Sequence, residues 1–302
     1  MYKHVALLVR DDGLTHGEFV EYWTERHSPL VTDVEGVVRY QTVYPVDPER
    51  SEYDGVAELY FESLEDLYDA LGSPGSRDFD PTEGVAATAR EDVDNFVAIE
   101  GRPRFVGEEK VWKDAIGGND GTTERGGPHG TGGATERGGP HGTGGTTERG
   151  GATRNGETTG HQTPIATPYG DTDGLYKHSA FLVRKNGMSH EAFREYWETE
   201  HSPLAATIEG VVRYHTVYPV DPEHSEFDGV AELYFETLED LHDALGSPGS
   251  RDYDPTKAVA AKAREDVDNF LAIEERPRFI GRERVWKDET GTDVGSGGAS
   301  NP

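Results

Sequence analysis

The chain has 302 residues, a formal net charge of −29 and no cysteine. A chain this acidic repels nucleic acids and anionic membranes, so neither is expected as a partner. The lack of cysteine excludes disulfides, cysteine-ligated zinc, iron–sulfur clusters and a cysteine nucleophile. No apolar run approaches the roughly 18 residues of a membrane span, and the first residues resemble a strand rather than a signal peptide. We therefore expect a soluble, cytoplasmic protein.

The sequence contains two copies of one domain. Residues 1–114 and 175–288 align at a constant offset of 174 without a gap, and 83 of 114 positions are identical. Residues 115–174 hold 19 of the 38 glycines and repeat a 12-residue unit that begins at Thr123. Such a segment has too few apolar side chains to offset its ordering entropy, so it predicts a disordered linker. Residues 289–302 are expected to form a disordered tail.

The excess of acidic residues is spread over both repeats, and arginine is more frequent than lysine. A high charge on folded domains causes self-repulsion that salt screens. This pattern suggests a halophilic protein from a high-salt cytoplasm. An acidic docking surface would instead concentrate its charge in one run, and no such run is present.

The first repeat predicts a strand, a helix, two strands, a second helical region and a last strand. Side chains alternate between two faces of a strand over Lys3–Arg10: one face is fully apolar, and the other, with His4 and Leu8, is mixed. We expect the mixed face to point away from the helices. Thr15 and Glu18 form a capping-box pattern at the start of the first helix. The remaining predicted elements are strands at Val37–Pro45 and Val56–Phe61, helices at Ser63–Leu71 and Thr82–Asn95, and a strand from Phe96–Ile99 with Phe105–Val106.

The resulting β-α-β-β-α-β order is that of a ferredoxin-like domain of the α+β class. Right-handed crossovers favour an antiparallel sheet in the strand order 4-1-3-2 with both helices on one face. The other face is too apolar for water, so a second such sheet should cover it. We expect the two repeats to pair within one chain, and a further homo-oligomer remains open.

Several motifs of each repeat together resemble the EthD-like domain family, named for a protein of ethyl tert-butyl ether degradation. The matching segments are Tyr22-Trp23, His27-Ser28-Pro29-Leu30, Glu35-Gly36, Asp54-Gly55 and Glu58-Leu59-Tyr60-Phe61, with Tyr196-Trp197, His201-Ser202-Pro203-Leu204, Glu209-Gly210, Asp228-Gly229 and Glu232 in the second repeat. The resemblance implies a dimeric α+β barrel, in which two ferredoxin-like sheets pack face to face around a cavity. It also implies an association with oxidoreductases of an ether- or xenobiotic-degrading oxidative pathway.

The first candidate site is an imidazole, a carboxylate and a phenol on the open sheet face. We assign this set to His4, Glu58 and Tyr60, and to His178, Glu232 and Tyr234 in the second repeat. Such groups at one cavity can exchange protons with a substrate. The alternative is that they only bind one another inside the barrel. Other residues expected to contact a ligand are Leu8, Tyr40, Leu182 and Tyr214.

The second candidate is His27, with His201 in the other repeat. His27 follows Trp23 by one helical turn on the apolar stripe, which is typical of a buried histidine that fixes the chain before Pro29. If this helix end lies by the barrel mouth, His27 would instead act on a ligand.

Neither a resident cofactor nor a metal site is expected. The sequence has no glycine-rich phosphate loop between a strand and a helix, and no histidine spacing supports a metal. His129 and His141 of the linker are expected to be solvated. Three hypotheses remain: an accessory protein that binds a small apolar or aromatic molecule, a cofactor-free acid–base enzyme such as a lyase, isomerase or cyclase, and a non-catalytic structural module.

Overall fold

The structure is a computed structural model that describes residues 1–72, 81, 84–98, 103–116, 174–246, 257–272 and 276–290. Most of the predicted linker, residues 115–174, and of the predicted tail, residues 289–302, lies outside the described residues. His129 and His141 lie outside them as well.

In the described residues, each repeat has four strands and four α-helices in the same order. In the first repeat these are β1 (Tyr2–Leu8), α1 (His16–Tyr22), α2 (Ser28–Thr32), β2 (Val37–Pro45), β3 (Gly55–Phe61), α3 (Leu64–Leu71), α4 (Gly84–Val93) and β4 (Arg104–Asp114). In the second they are β5 (Tyr176–Leu182), α5 (His190–Tyr196), α6 (Ser202–Ala205), β6 (Val211–Pro219), β7 (Gly229–Phe235), α7 (Leu238–Leu245), α8 (Ala258–Asp266) and β8 (Arg278–Asp288).

Local sequence signals set the ends of these elements. The capping box at the start of α1 is present: Thr15 accepts from the backbone of Glu18, whose carboxylate accepts from the backbone of Thr15. Gly36 has a φ of 82°, a left-handed conformation that suits glycine, and it ends the segment before β2. A π-helical turn, Trp23–His27, joins α1 to α2, and the same turn recurs at Trp197–His201.

The eight strands form one closed antiparallel barrel in the order β1-β3-β2-β8-β5-β7-β6-β4. Within each repeat the order is the predicted 4-1-3-2. The two repeats are joined by pairing of β2 with β8 and of β4 with β6, and they belong to one compact unit. Closure leaves neither sheet with an exposed edge. The barrel confirms the fold that the strand order and the family resemblance predicted.

The last strand of the first repeat differs from its prediction. Phe96–Ile99 was expected to contribute to it, but Val97 makes only an isolated bridge to Arg10. β4 begins at Arg104 and runs through Asp114. Its second half pairs with β6 of the other repeat, so its length depends on a partner that the local pattern does not reveal.

The orientation predicted for strand β1 is wrong. Lys3 lies opposite Tyr60, and His4 lies opposite Leu59. Residues opposite each other in an antiparallel pair point to the same face. Lys3 therefore shares the barrel interior with Tyr60, whereas His4 faces the helices with Leu59.

An apolar cluster fills part of the barrel interior between the two sheets. It combines side chains of both repeats, including Val5 and Phe105 of the first and Phe181 and Phe279 of the second. On the helix side, Gly55 lies so close to Trp23 that a Cβ atom there would come within 2.3 Å of the indole ring. This glycine therefore allows close packing of β3 against the indole ring.

Cleavage of the chain between residues 117 and 173 is expected to leave the two repeats associated. The interface consists of two strand ladders and a shared core, none of which needs the connection. After limited trypsin digestion, size-exclusion chromatography should give one peak of the intact size, and denaturing electrophoresis should give two fragments. Elution of the fragments at half that size would contradict intrachain pairing.

Candidate functional site

Four charged side chains from both repeats meet inside the barrel. The ammonium of Lys3 lies 2.6 Å from both carboxylate oxygens of Glu232 and 3.2 Å from Glu58. Lys177 makes the reciprocal contacts, a hydrogen bond to Glu58 and an ion pair of 3.0 Å with Glu232. All four side chains are fully buried. We call Lys3, Glu58, Lys177 and Glu232 the ion cluster.

The opposite charges of the ion cluster stabilise one another in their ionised forms. Burial opposes the charged form of Lys3, but the carboxylates of Glu232, Glu58 and Glu109 outweigh it and hold its pKa above the ordinary value. Burial likewise opposes ionisation of Glu232, but Lys177 and Lys3 lower its pKa. Burial, followed by Glu58, raises the pKa of the Tyr60 phenol well above its ordinary value. The carboxylates of Glu58 and Glu232 are therefore both paired with the ammonium groups of Lys3 and Lys177.

One substitution makes the surroundings of the ion cluster differ between the repeats. His215 Nδ1 lies 3.0 Å from Glu109, whereas the equivalent Gln41 donates to Glu58. Within the described residues, Glu109, His215 and Glu232 are the only grouping with ligand atoms close enough for a metal, within 4.8 Å. Lys3 contacts Glu232 at 2.6 Å and lies 3.9 Å from Glu109, so its ammonium supplies the charge that a cation would bring. The set fits a lysine better than a metal.

A separate cavity lies in each repeat between the sheet and the helices. It has a volume of about 110 Å³ in the first repeat and about 100 Å³ in the second. Its wall is mostly apolar and has contributions from strands β1 and β3 and helices α2, α3 and α4, or from their equivalents. The polar residues on the wall are His4, His27, Arg90 and Arg104 in the first repeat, and His178, His201, Tyr214, Arg264 and Arg276 in the second.

A carboxylate orients the histidine at the π-helical turn. Asp92 Oδ2, at the end of α4, lies 3.0 Å from His27 Nδ1. Its other oxygen accepts a hydrogen bond of 2.7 Å from Tyr22. The second repeat has the same arrangement, with Asp266 2.9 Å from His201 Nδ1 and 2.7 Å from the Tyr196 hydroxyl.

The surroundings favour the ionised form of these carboxylates and the neutral form of the His178 and His201 imidazoles. Burial opposes ionisation of Asp92, but hydrogen bonds from Tyr22, His27 and Asn95 lower its pKa. In the second repeat burial lowers the pKa of His201 despite Asp266, and burial with nearby Arg278 and Arg276 lowers that of His178 to about 3. A neutral imidazole that donates from Nδ1 carries its lone pair on Nε2 and can accept a proton.

The π-helical turn explains how His27 reaches the cavity. The backbone N–H of Ser28 bonds to Trp23, five residues earlier, which widens the helix by one residue. Trp23 is held by a hydrogen bond of 3.0 Å from its indole nitrogen to the Tyr40 hydroxyl. The extra residue places Trp23 and His27 both against the sheet, and such turns are frequent at functional sites.

The structure separates the predicted first site. His4 and Leu8 line the helix-side cavity, as do His178 and Leu182 in the second repeat. Glu58 and Tyr60, like Glu232 and Tyr234, lie inside the barrel at the ion cluster. The expected union of His4 with Glu58 and Tyr60, and the expected cavity between the sheets lined by all three, are therefore wrong.

The remaining predicted residues lie on the helix side of the sheets. His27 and His201 line the cavities, and their side chains are only 9% and 13% exposed. A buried structural position and contact with a ligand, the two alternatives for these residues, are therefore compatible. Tyr214 lines its cavity, and Tyr40 binds Trp23 and Ser28 behind it. Sequence reasoning missed Asp92, because it lies 65 residues from His27 on a different helix. Both residues recur at the same spacing in the second repeat, but so do most positions, and the recurrence therefore did not single them out.

Comparison with known proteins identifies the class of this paired ferredoxin-like barrel. The sequence matches the EthD domain family over residues 11–100 and 185–274. The chain therefore belongs to the EthD domain family and carries two copies of its domain. None of the curated proteins matches it.

One solved structure shares the fold, and two others show lower structural similarity. An anthrone oxidase-like protein aligns over 97% of this chain and 96% of its own, with 12% identity and a TM-score of 0.52. An EthD family protein of Bacillus halodurans aligns over 35% of this chain and 96% of its own, with 20% identity and a TM-score of 0.29. A dimeric protein of ferredoxin-like fold from Bacteroides fragilis aligns over 37% and 98%, with 12% identity and a TM-score of 0.29.

Among the described residues, none of the helices combines the length and the apolar character of a membrane span.

Proposed function

We propose that the protein binds a small apolar or aromatic molecule in the cavity of each repeat, as an accessory protein of an oxidative pathway of the ether- or xenobiotic-degrading type. The observation that carries this proposal is the duplicated apolar cavity with a carboxylate-bound histidine on its wall. Cavities of about 100 Å³ are of the order that holds one aromatic ring. Membership of the EthD family and the fold shared with an anthrone oxidase-like protein support the pathway class.

The pair of Asp92 and His27 favours a second candidate, a cofactor-free acid–base enzyme. Asp92 fixes the His27 ring through Nδ1 and stabilises the positive charge that the ring gains when Nε2 accepts a proton. The apolar wall lowers the local dielectric, which strengthens this charge interaction. The acceptable substrate would be a ring compound with an acidic C–H or O–H group, such as a ketone or a phenol.

Acetophenone is a suitable probe, because it has one ring and exchangeable hydrogens beside its carbonyl. We expect the full chain to bind it in calorimetric titration. If the chain is an acid–base enzyme, it should also accelerate the exchange of the acetophenone methyl hydrogens for deuterium in D₂O. Proton NMR measures this exchange. Replacing His27 and His201 together with asparagine should then lower the exchange rate by about 10²- to 10⁴-fold. His224→Asn, an exposed histidine outside both cavities, is the matched control.

The outcomes separate the candidates. Binding without catalysed exchange supports the accessory role alone. Exchange that persists in the His27→Asn, His201→Asn protein but disappears in His4→Ala with His178→Ala would move the proton-transfer role to the histidines of β1 and β5. Absence of binding by the wild-type chain would contradict the proposed function and leave a structural module.

A further inference from the structure

The walls of the two helix-side cavities differ at three equivalent apolar positions. These positions hold Val31, Val34 and Val97 in the first repeat, and Ala205, Ile208 and Leu271 in the second. Alanine is smaller than valine, whereas isoleucine and leucine are larger, so the exchanges offset one another in volume. The cavity volumes of about 110 and 100 Å³ accordingly remain similar. The cavities therefore differ in shape, because the second gains space at Ala205 and loses it at the other two positions.

The space at Ala205 lies beside a tyrosine of the sheet. Ala205 follows Ser202 by three residues in α6, so both side chains lie on the same face of this helix. Ser202 Oγ lies 3.2 Å from the Tyr214 hydroxyl, and Ala205 belongs to the same apolar cluster as Tyr214. Tyr214 is one of the residues that line the second cavity. The equivalent Tyr40 is not among the described residues that line the first cavity, where Val31 takes the place of Ala205.

The Tyr214 hydroxyl has the capacity for one more hydrogen bond. A phenol hydroxyl has one donor hydrogen and two lone pairs. The indole N–H of Trp197 donates to it over 3.2 Å, and Ser202 Oγ lies at the same distance. Among the described residues, no third group occupies the remaining position. Burial raises the pKa of Tyr214 to about 12, so the hydroxyl is protonated at neutral pH and can donate or accept, depending on the Ser202 hydrogen.

We infer that the two cavities select different ligands. The second takes a ring compound with a hydroxyl or carbonyl group that binds the Tyr214 hydroxyl, and the first takes an apolar ring. Ala205 is the specificity-determining residue, because its small side chain leaves Tyr214 on the cavity wall, whereas the larger Val31 stands in front of Tyr40. The inference rests on the proposed function, which gives each cavity a small ring compound, and it divides those ligands into two chemical classes.

Phenol and toluene test this inference, because they have nearly the same shape and differ in one hydroxyl group. Trp23 lines the first cavity and Trp197 the second, so the NMR signals of their indole N–H groups report binding at each cavity of the full chain separately. Trp112 and Trp286 line neither cavity and serve as internal references. We expect the ratio of phenol affinity to toluene affinity to be about three- to tenfold higher at the second cavity, the range for one hydrogen bond.

Matched substitutions at equivalent positions assign this difference to its source. Tyr214→Phe should lower the affinity ratio at the second cavity to that of the first, whereas Tyr40→Phe should change neither ratio. Ala205→Val should act like Tyr214→Phe, and Val31→Ala should raise the ratio at the first cavity by a similar factor. Val31→Ala removes buried volume, so its fold needs checking, but Tyr214→Phe and Ala205→Val decide the question without it.

Each result decides a different question. Equal ratios of phenol to toluene affinity at the two cavities would overturn the inference and leave the proposed function standing. A ratio at the second cavity that Ala205→Val leaves unchanged would overturn the role of Ala205. Binding of neither compound would contradict both the inference and the proposed function. Circular dichroism and the melting temperature of each variant show whether a loss of binding follows from a loss of fold.

Discussion

Replacing Lys3 with methionine is expected to destabilise the protein by about 3–5 kcal/mol, because it leaves buried carboxylates without a partner. Lys3 contacts Glu232 at 2.6 Å and Glu58 at 3.2 Å, and all three side chains are fully buried. Lys177 alone would then face two buried negative charges. Urea unfolding at neutral pH measures the free energy of unfolding directly.

Lys110→Met is the matched control for this change. Lys110 also forms an ion pair across the two repeats, 3.0 Å from Glu198, but 42% of its side chain is exposed. An exposed pair contributes about 0–1 kcal/mol, so the loss should be small. The Lys3→Met loss should persist in 1 M salt, since buried charges are poorly screened. If Lys3→Met and Lys110→Met lowered the free energy of unfolding by similar amounts, burial of the ion cluster would not be the source of the Lys3→Met effect.

Adding Glu232→Gln to Lys3→Met should recover part of the lost stability. The second change removes the carboxylate that the first leaves without its closest ammonium. Recovery would identify the unpaired charge, rather than poor packing of methionine, as the source of the loss. A further loss in the double variant would point to packing instead.

The strand order and helix positions could be predicted because each rests on a local pattern. The capping box at Thr15, the β-branched run of β2 and the alternation in β3 are short-range signals. The order of strands then followed from the handedness of the crossovers. Family motifs added the pairing of two sheets, which no pattern within one repeat shows.

The face of β1 could not be predicted with the same rules, because both of its faces carry a polar residue among apolar ones. Lys3 lies on one face and His4 on the other. Lysine is rarely buried without a partner, so an apolar face that includes Lys3 looks unsuited to an interior. The partner that buries it, Glu232, comes from the other repeat. The site was therefore assigned to the wrong side of the sheet.

The contact of Asp92 with His27 was missed for a related reason. Asp92 lies near the end of α4 next to Glu91, and acidic residues are common on solvated helix faces. Only the packing of α4 against the π-helical turn brings the two side chains to 3.0 Å. Long-range contacts between helices are not encoded in the spacing of either one.

Replacing glutamate with glutamine is expected to change the free energy of unfolding in opposite directions at the equivalent residues Glu109 and Glu283. Burial opposes ionisation of Glu109, but a hydrogen bond from His215 and the charge of Lys3 lower its pKa to about 2. Burial raises the pKa of Glu283, and Lys177 offsets this only in part. The repeats differ here because Gln41 occupies the position of His215 and donates to Glu58 instead.

For Glu109 the folded-state pKa lies below its ordinary value of 4.5. Its ionised form therefore stabilises the fold above about pH 4.5, and this contribution is lost as the pH falls towards 2. A difference of this size corresponds to about 3 kcal/mol. Glu109→Gln should lower the free energy of unfolding at pH 7 by up to about that amount, and should flatten its pH dependence between pH 4.5 and 2.

For Glu283 the sign is reversed, since a raised pKa means that the folded state disfavours the charged form. Ionisation at pH values above the folded-state pKa then costs stability, and Glu283→Gln removes that cost. We expect this variant to match or exceed the wild-type stability at pH 7 in urea unfolding. The same substitution at two equivalent positions serves as its own control for the change of side chain. If both variants lost stability equally, the His215 contact would not be what distinguishes the two carboxylates.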